Sequence, residues 1–196
     1  MMEPEFKMTD LGFMKNFLGL EIEQKEDEIF VHQKKYALDM LKKFQMENFN
    51  EISIPMEVQL KLQPTKPGEE FDSTVFRSMI GSLMYLCASR PDLACTVNML
   101  ASCSSNPSKE HAAYVRRILR FLKSSCDYGL WYEKGGKGEL LMFCDASCGN
   151  EEKYRSKSGY CSSFGSRIFS WSSKCQKIVA QSTVEAEYIA INLAAK

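Results

Sequence analysis

The sequence predicts an α+β protein in two parts: a β-hairpin leading into a helical region, then an α/β part of three antiparallel strands and a helix. Three observations predict it. Leu18, Leu20 and Ile22 alternate with Gly19, Glu21 and Glu23, which is the period of a half-buried strand. Apolar stripes at helical spacing recur between residues 73 and 123. A short apolar run then ends in a carboxylate, Asp145, and farther on a capped helix carries a second one, Glu187.

The hairpin comes first. Charged residues from Lys25 to Glu28 make its turn and Ile29-Phe30-Val31 returns. A helix follows from about Gln33, with Tyr36, Met40, Leu41 and Phe44 on one face. Residues 49–71 hold Pro55, Pro64, Pro67 and Gly68 with little periodicity, so they read as a connector. Asp72 or Ser73 caps the next helix, which runs through Phe76, Met79, Ile80, Leu83, Met84 and Leu86. Pro91 ends it, Asp92 is expected to cap a helix carrying Val97 and Leu100, and Pro107-Ser108 starts another.

In that last helix Val115, Ile118, Leu119 and Leu122 form the buried stripe. Arg116, Arg117, Arg120 and Lys123 cluster on its other faces, where they could track a phosphate backbone or simply form a solvated helix surface. Asp127 to Tyr132 and the glycines Gly135, Gly136 and Gly138 read as the end of the helical part, with a domain boundary nearby. No phosphate-loop pattern surrounds those glycines.

Leu140 to Cys144, nearly all apolar, reads as a central strand covered on both faces, with Asp145 at its end. Gly159 to Phe164 and Arg167 to Trp171, joined through Gly165-Ser166, read as two further strands. Ser182 with Glu185 is a capping box that opens the final helix. Glu187 shares a helical stripe with Val184, Tyr188 and Ile191 and is therefore expected to look toward the core, where a carboxylate needs a partner or a metal. On the residues alone, a strand-end turn for Asp145 and a solvated helix face for Glu187 stay open.

Composition sets the outer limits. The 196 residues suffice for one large or two small domains, and the formal charge is zero. Residues 1–70 hold nine Lys/Arg against fourteen Asp/Glu, and residues 71–196 hold sixteen against eleven, so an anion would sooner meet the second part. The eight cysteines form no Cys-x-x-Cys pair and only His32 and His111 accompany them, which argues against zinc and for small core residues in a reducing compartment. The polar, acidic start lacks the pattern of a signal peptide, and no apolar run is long enough to span a bilayer. The expectation is an intracellular chain, cytoplasmic or nuclear, that is neither secreted nor membrane-bound.

Ordered landmarks make the reading more specific. Asp145-Ala146-Ser147, Arg155-Ser156-Lys157-Ser158-Gly159-Tyr160, Ile168-Phe169-Ser170-Trp171-Ser172-Ser173-Lys174 and Glu185-Ala186-Glu187-Tyr188 resemble the ribonuclease H domain of copia-type long-terminal-repeat retrotransposon polyproteins. Upstream, Met8-Thr9-Asp10-Leu11-Gly12, Phe17 to Ile22, Gln33 to Tyr36, Gly81 to Leu86, Arg90-Pro91-Asp92 and Arg116 to Lys123 resemble the polymerase tail and connecting region of the same proteins. The resemblance implies the end of a reverse transcriptase palm and start of a thumb in residues 1–48. It further implies thumb and connection in 49–134, and partial ribonuclease H in 139–196.

It also implies Asp145 and Glu187 as catalytic metal ligands, Mg²⁺ or Mn²⁺ as the ion, and RNA–DNA hybrid and the rest of the polyprotein as partners. No Asp-Asp pair of the kind a polymerase palm carries occurs, and only two of the four family ribonuclease H carboxylates have a match. The chain is therefore expected to be a catalytically incomplete fragment. The alternatives are a retained module that binds nucleic acid or protein, and a residual hybrid nuclease completed by another chain. Ser147, Cys148 and Asn150 depart from the family pattern near Asp145.

Overall fold

The computed structural model describes residues 12–57, 60, 62–135, 138–147 and 155–196. The landmark residues 8–11, as well as Cys148 and Asn150, lie outside them. Among the described residues the chain is mixed α/β, with two antiparallel sheets and five helices.

The first sheet begins with β1 (Asn16–Phe17), β2 (Leu20–Gln24) and β3 (Glu28–His32). Leu18 and Gly19, both at positive φ (47° and 78°), make the tight turn between β1 and β2, so the expected strand starts at Leu20 instead of Leu18. The second turn is closed by the Lys25 N–H on the Glu28 carbonyl, and by the side chains of the same two residues. Next comes α1 (Lys34–Lys43), which buries Ala37, Met40 and Leu41, with Tyr36 and Phe44 packed beside them.

Three helices then build the core: α2 (Ser73–Leu86), α3 (Pro91–Ala101) and α4 (Lys109–Ser124). Asp72 caps α2 by accepting the N–H groups of Thr74 and Val75. Phe76, Leu83, Leu86, Leu93, Val97, Leu100, Val115, Ile118, Leu119 and Leu122 meet in one cluster, whereas Met84, expected among them, is exposed. Ser108 caps α4, and His111 completes the capping box by accepting the Ser108 N–H on Nδ1. With Nδ1 an acceptor, Nε2 carries the hydrogen and donates it to the Gln63 carbonyl, which fastens the connector to the helix.

Asp92 is not a helix cap. Arg90 occupies that position, Pro91 follows as the first helical residue, and the Asp92 carboxylate accepts both arms of the Arg90 guanidinium at 2.9 and 2.7 Å. Only 2% exposed, Arg90 also donates to the Ser125 carbonyl and hydroxyl and lies against the rings of Phe121 and Tyr128. A buried charge needs this degree of pairing, and the pairing joins the start of α3 to the end of α4.

Residues 129–133, expected only as the close of the helical part, are a strand. This β4 (Gly129–Glu133) pairs antiparallel with β3, returning the chain to the first sheet after the helices. Gly129 makes the pairing feasible: a Cβ there would stand 2.4 Å from the Val31 carbonyl oxygen. Stacking of Trp131 on Phe30 seals the pair.

The second sheet has the order β5 (Leu140–Ser147), β6 (Lys157–Phe164), β7 (Arg167–Cys175), and α5 (Thr183–Ala194) packs on β5 and β6. Gly165-Ser166 turns β6 into β7 as expected. The correction concerns β5. It is an edge strand whose Leu140, Leu141, Met142 and Phe143 are exposed, instead of a central strand covered on both faces. Trp171 of β7 donates its indole N–H to the Cys87 carbonyl at the end of α2, tying this sheet to the helical core.

Candidate metal and nucleic acid site

The two sequence-predicted carboxylates come from different elements. Asp145 is exposed near the end of β5, opposite Gly159 of β6. Glu187 is half-buried on α5, and its Oε1 accepts the Ala146 N–H at 3.3 Å, next in chain to Asp145. The fold thus brings a helix carboxylate to the strand end where the other one stands.

The stripe assigned to Glu187 does not hold, however. Val184, Tyr188 and Ile191 are exposed, and it is Ala186 and Ala190 that are buried. Two small side chains let α5 lie close on the sheet, so Glu187 reaches the strand from the helix flank. Ser182 accepts the Glu185 N–H as the capping box requires, but the Glu185 carboxylate closes the turn on the Gln181 N–H instead of on Ser182.

Sequence reasoning missed Gln176. Buried, it donates to the Ser158 hydroxyl and the Ala186 carbonyl, locking α5 onto β6 one residue from Glu187. A polar residue past the end of a strand carries no sequence signal for that role.

Whether this donor set fits the implied divalent ions is a matter of coordination chemistry. One lobe of Glu187 is engaged by a backbone N–H, and among the described residues no three of His, Cys, Asp and Glu gather where they could hold a metal ion. Mg²⁺ asks for octahedral oxygen ligands and keeps several waters, so Asp145 and Glu187 suit one hydrated ion at most. They do not supply the donors of a two-metal centre, which must hold both ions in place to activate the attacking water and stabilise the leaving oxygen.

The basic residues of α4 face the connector. Arg120 donates to the Asn50 carbonyl at 2.6 Å, Lys123 donates to the Phe49 carbonyl at 3.2 Å, and Arg117 pairs with Glu57. Arg116 is exposed and lies over the Phe71 ring. Beside them, an open groove of about 730 Å³ lies between residues 51–54 and the Phe121–Tyr128 end of α4. The described cysteines are all free. Cys103 is buried, whereas Cys95, Cys144 and Cys175 are exposed and therefore not the core residues expected.

The family model for reverse transcriptase (RNA-dependent DNA polymerase) matches residues 1–58. An uncharacterized mitochondrial protein of Arabidopsis thaliana is 34% identical over 97% of this chain and 79% of its own length. The Retrovirus-related Pol polyprotein from transposon RE1 of Arabidopsis thaliana is 34% identical over 93% of the chain, and that from transposon TNT 1-94 of Nicotiana tabacum is 37% identical over 94%. The chain spans only 13% and 15% of the length of those two polyproteins. No solved structure matches. By sequence and by the order of its landmarks, the chain belongs to the copia-type retrotransposon Pol family.

Proposed function

We propose that this chain is the stretch of a copia-type Pol polyprotein that joins the end of the reverse transcriptase to the beginning of ribonuclease H. In this reading residues 1–48 close the palm and start the thumb, 49–134 are thumb and connection, and 139–196 open the ribonuclease H domain. Asp145 and Glu187 are its metal-ligand positions, with Mg²⁺ or Mn²⁺ as the ion. Taken alone, the chain does not cleave, because two carboxylates hold one ion and hybrid hydrolysis by the two-metal route needs two.

The observation that carries this reading is the meeting of Glu187 with the Ala146 N–H beside Asp145, forty-one residues apart in sequence. RNA–DNA hybrid is the proposed nucleic acid partner, and the remainder of the polyprotein the proposed protein partner. Arg116, Arg117, Arg120 and Lys123 are the proposed contacts to the hybrid backbone, which makes binding weaken as salt rises.

The experiment is incubation of the purified chain with a labelled RNA–DNA hybrid and Mg²⁺ or Mn²⁺, beside its Asp145→Asn variant. The expected result is no cleavage by either. Cleavage by the wild type that disappears in Asp145→Asn would overturn the inactivity and show that further ligands are recruited.

A further inference from the structure

Both histidines of the chain are buried, and both serve the start of a helix. At the head of α4, His111 accepts the Ser108 N–H on Nδ1 at 3.1 Å, and at the head of α1, His32 accepts the Lys34 N–H on Nδ1 at 3.3 Å. Each ring is therefore neutral, with its hydrogen on Nε2. Histidine is also the side chain whose ordinary pKa, about 6.5, lies closest to physiological pH.

The surroundings of the two rings differ. His32 stands between two carboxylates, with Glu21 Oε1 3.7 Å from Nδ1 and Glu23 Oε1 3.3 Å from Nε2, so an imidazolium there has an acceptor on either side. His111, 2% exposed, has the Gln63 carbonyl at 3.0 Å on Nε2 and a donor on Nδ1. The charged side chains on the segments packed around it are Lys109 and Glu110 of its own turn, Glu69 and Glu70 of the connector, and Asp72 and Arg77 at the start of α2. All six are exposed, and among the described residues none of these carboxylates pairs with the ring.

A proton on Nδ1 of His111 would set donor against donor at the Ser108 N–H. It would also place a positive charge in the first turn of α4, the end that the helix already makes positive, with no paired carboxylate to offset it. We infer that His111 is a pH-sensitive latch: on taking up a proton it leaves its place, and the connector from Gln63 to Phe71 opens from the start of α4.

The same strip is held by the Phe71 N–H on the Pro107 carbonyl at 2.9 Å, the Lys109 N–H on the Glu69 carbonyl at 2.8 Å and the Thr65 hydroxyl on the Asn106 carbonyl at 2.6 Å. Among these fastenings His111 alone titrates near neutrality. Opening takes up the proton, so the open population grows as pH falls below about 6.5, by up to about tenfold per unit. At His32 acid has a different outcome. Its ring exchanges the Lys34 N–H for the Glu21 carboxylate, and Glu21 still accepts the Lys35 N–H at 2.7 Å, so the start of α1 stays capped.

The test is amide exchange of the full chain, followed by nuclear magnetic resonance at about pH 7.5 and about pH 5.5, with each rate taken relative to an unstructured peptide at the same pH. At the lower pH the Ser108, Lys109 and Phe71 amides of the wild type should lose protection about tenfold. His111→Gln keeps an acceptor for the Ser108 N–H, as a capping box allows, but does not titrate, and the same amides should change less than about twofold. His32→Gln should leave the wild-type loss in place. Unchanged protection in the wild type, a loss that persists in His111→Gln, or a loss abolished only by His32→Gln would overturn the latch. So would an equal loss at the amides of α2 and α3, which is unfolding of the whole core. Should His111→Gln fail to fold, the imidazole resonances of the wild type decide: a His111 ring protonated while Ser108 stays protected rejects the latch, and protonation that arrives together with the loss of protection supports it.

Discussion

Trp171 donates its indole N–H to the Cys87 carbonyl at 3.0 Å, and that bond joins the second sheet to the end of α2 across eighty-four residues of sequence. With β7 also lying on α3 and β4, the sheet should melt with the helical core and not before it. Trp171→Phe removes the donor and should cost about 1 kcal/mol. Trp171→Ala also removes the packing and should cost about 2 kcal/mol, given that the ring is half-buried. Urea titrations followed by fluorescence and by far-ultraviolet dichroism check both, and two separate transitions in the wild type would contradict the coupling.

Arg90 is the strongest single polar commitment in the core. Its removal takes one of two donors from the Ser125 carbonyl, which keeps the Tyr128 N–H, leaves the Asp92 carboxylate without its partner and opens the space between Phe121 and Tyr128, so Arg90→Ala should cost about 3 kcal/mol. Asp92 is nearly half-exposed, and solvent replaces much of what Asp92→Asn gives up, leaving a loss of about 1 kcal/mol. Arg90→Lys keeps the charge but not the planar fork and should fall between the two. Chemical denaturation of the three variants tests the order; equal losses at Arg90 and Asp92 would mean that the ion pair, not the burial of Arg90, sets the cost.

The basic face of α4 serves the connector whatever else it binds. Arg120 and Lys123 reach the Asn50 and Phe49 carbonyls, so changing both to Ala should loosen residues 49–57. Loss of about 1 kcal/mol of local fastening raises the open population about fivefold, which limited digestion by a glutamate-specific protease reads at Glu51 and Glu57. Arg116→Ala, whose side chain touches only the Phe71 ring among these contacts, should leave that cleavage rate unchanged. The contrast matters for binding studies: hybrid affinity lost in Arg116→Ala reports phosphate contact, while affinity lost only in the double variant reports a displaced connector.

What could be read from sequence follows the range of the forces involved. The turns at Lys25–Glu28 and Gly165-Ser166, the caps at Asp72, Ser108 and Ser182, and the buried stripes of α1 and α4 are local, and each stands where its residues predict. β4 escaped because its partner, β3, lies about a hundred residues earlier and Gly129 reads as a loop residue until the close approach of Val31 is known. An apolar run such as Leu140–Cys144 reads the same whether a neighbouring strand covers it or not, and whether it sits at an edge is decided by the sheet. Asp92 was misread because a cap and an arginine partner use the same carboxylate, and only tertiary packing showed that Arg90 is buried. At the candidate site the sequence named Asp145 and Glu187, but which face of α5 meets the sheet depended on the small size of Ala186 and Ala190.

Asp72 ties helix formation to pH. The Val75 and Thr74 N–H groups donate to its carboxylate and hold its carboxyl below the ordinary value of 3.8. A carboxyl depressed in the folded state adds stability above its unfolded value, and that stability is lost as pH falls through the folded value. Asparagine is also a good cap but does not titrate there, so Asp72→Asn keeps the hydrogen-bond acceptor and removes the pH dependence. Between about pH 5 and pH 2 the wild type should therefore lose thermal stability faster than Asp72→Asn, and the two melting curves should converge or cross as the acid end is approached. Melting temperatures measured across that range decide it, and two profiles that run parallel would mean that the cap's charge contributes nothing to the stability of α2.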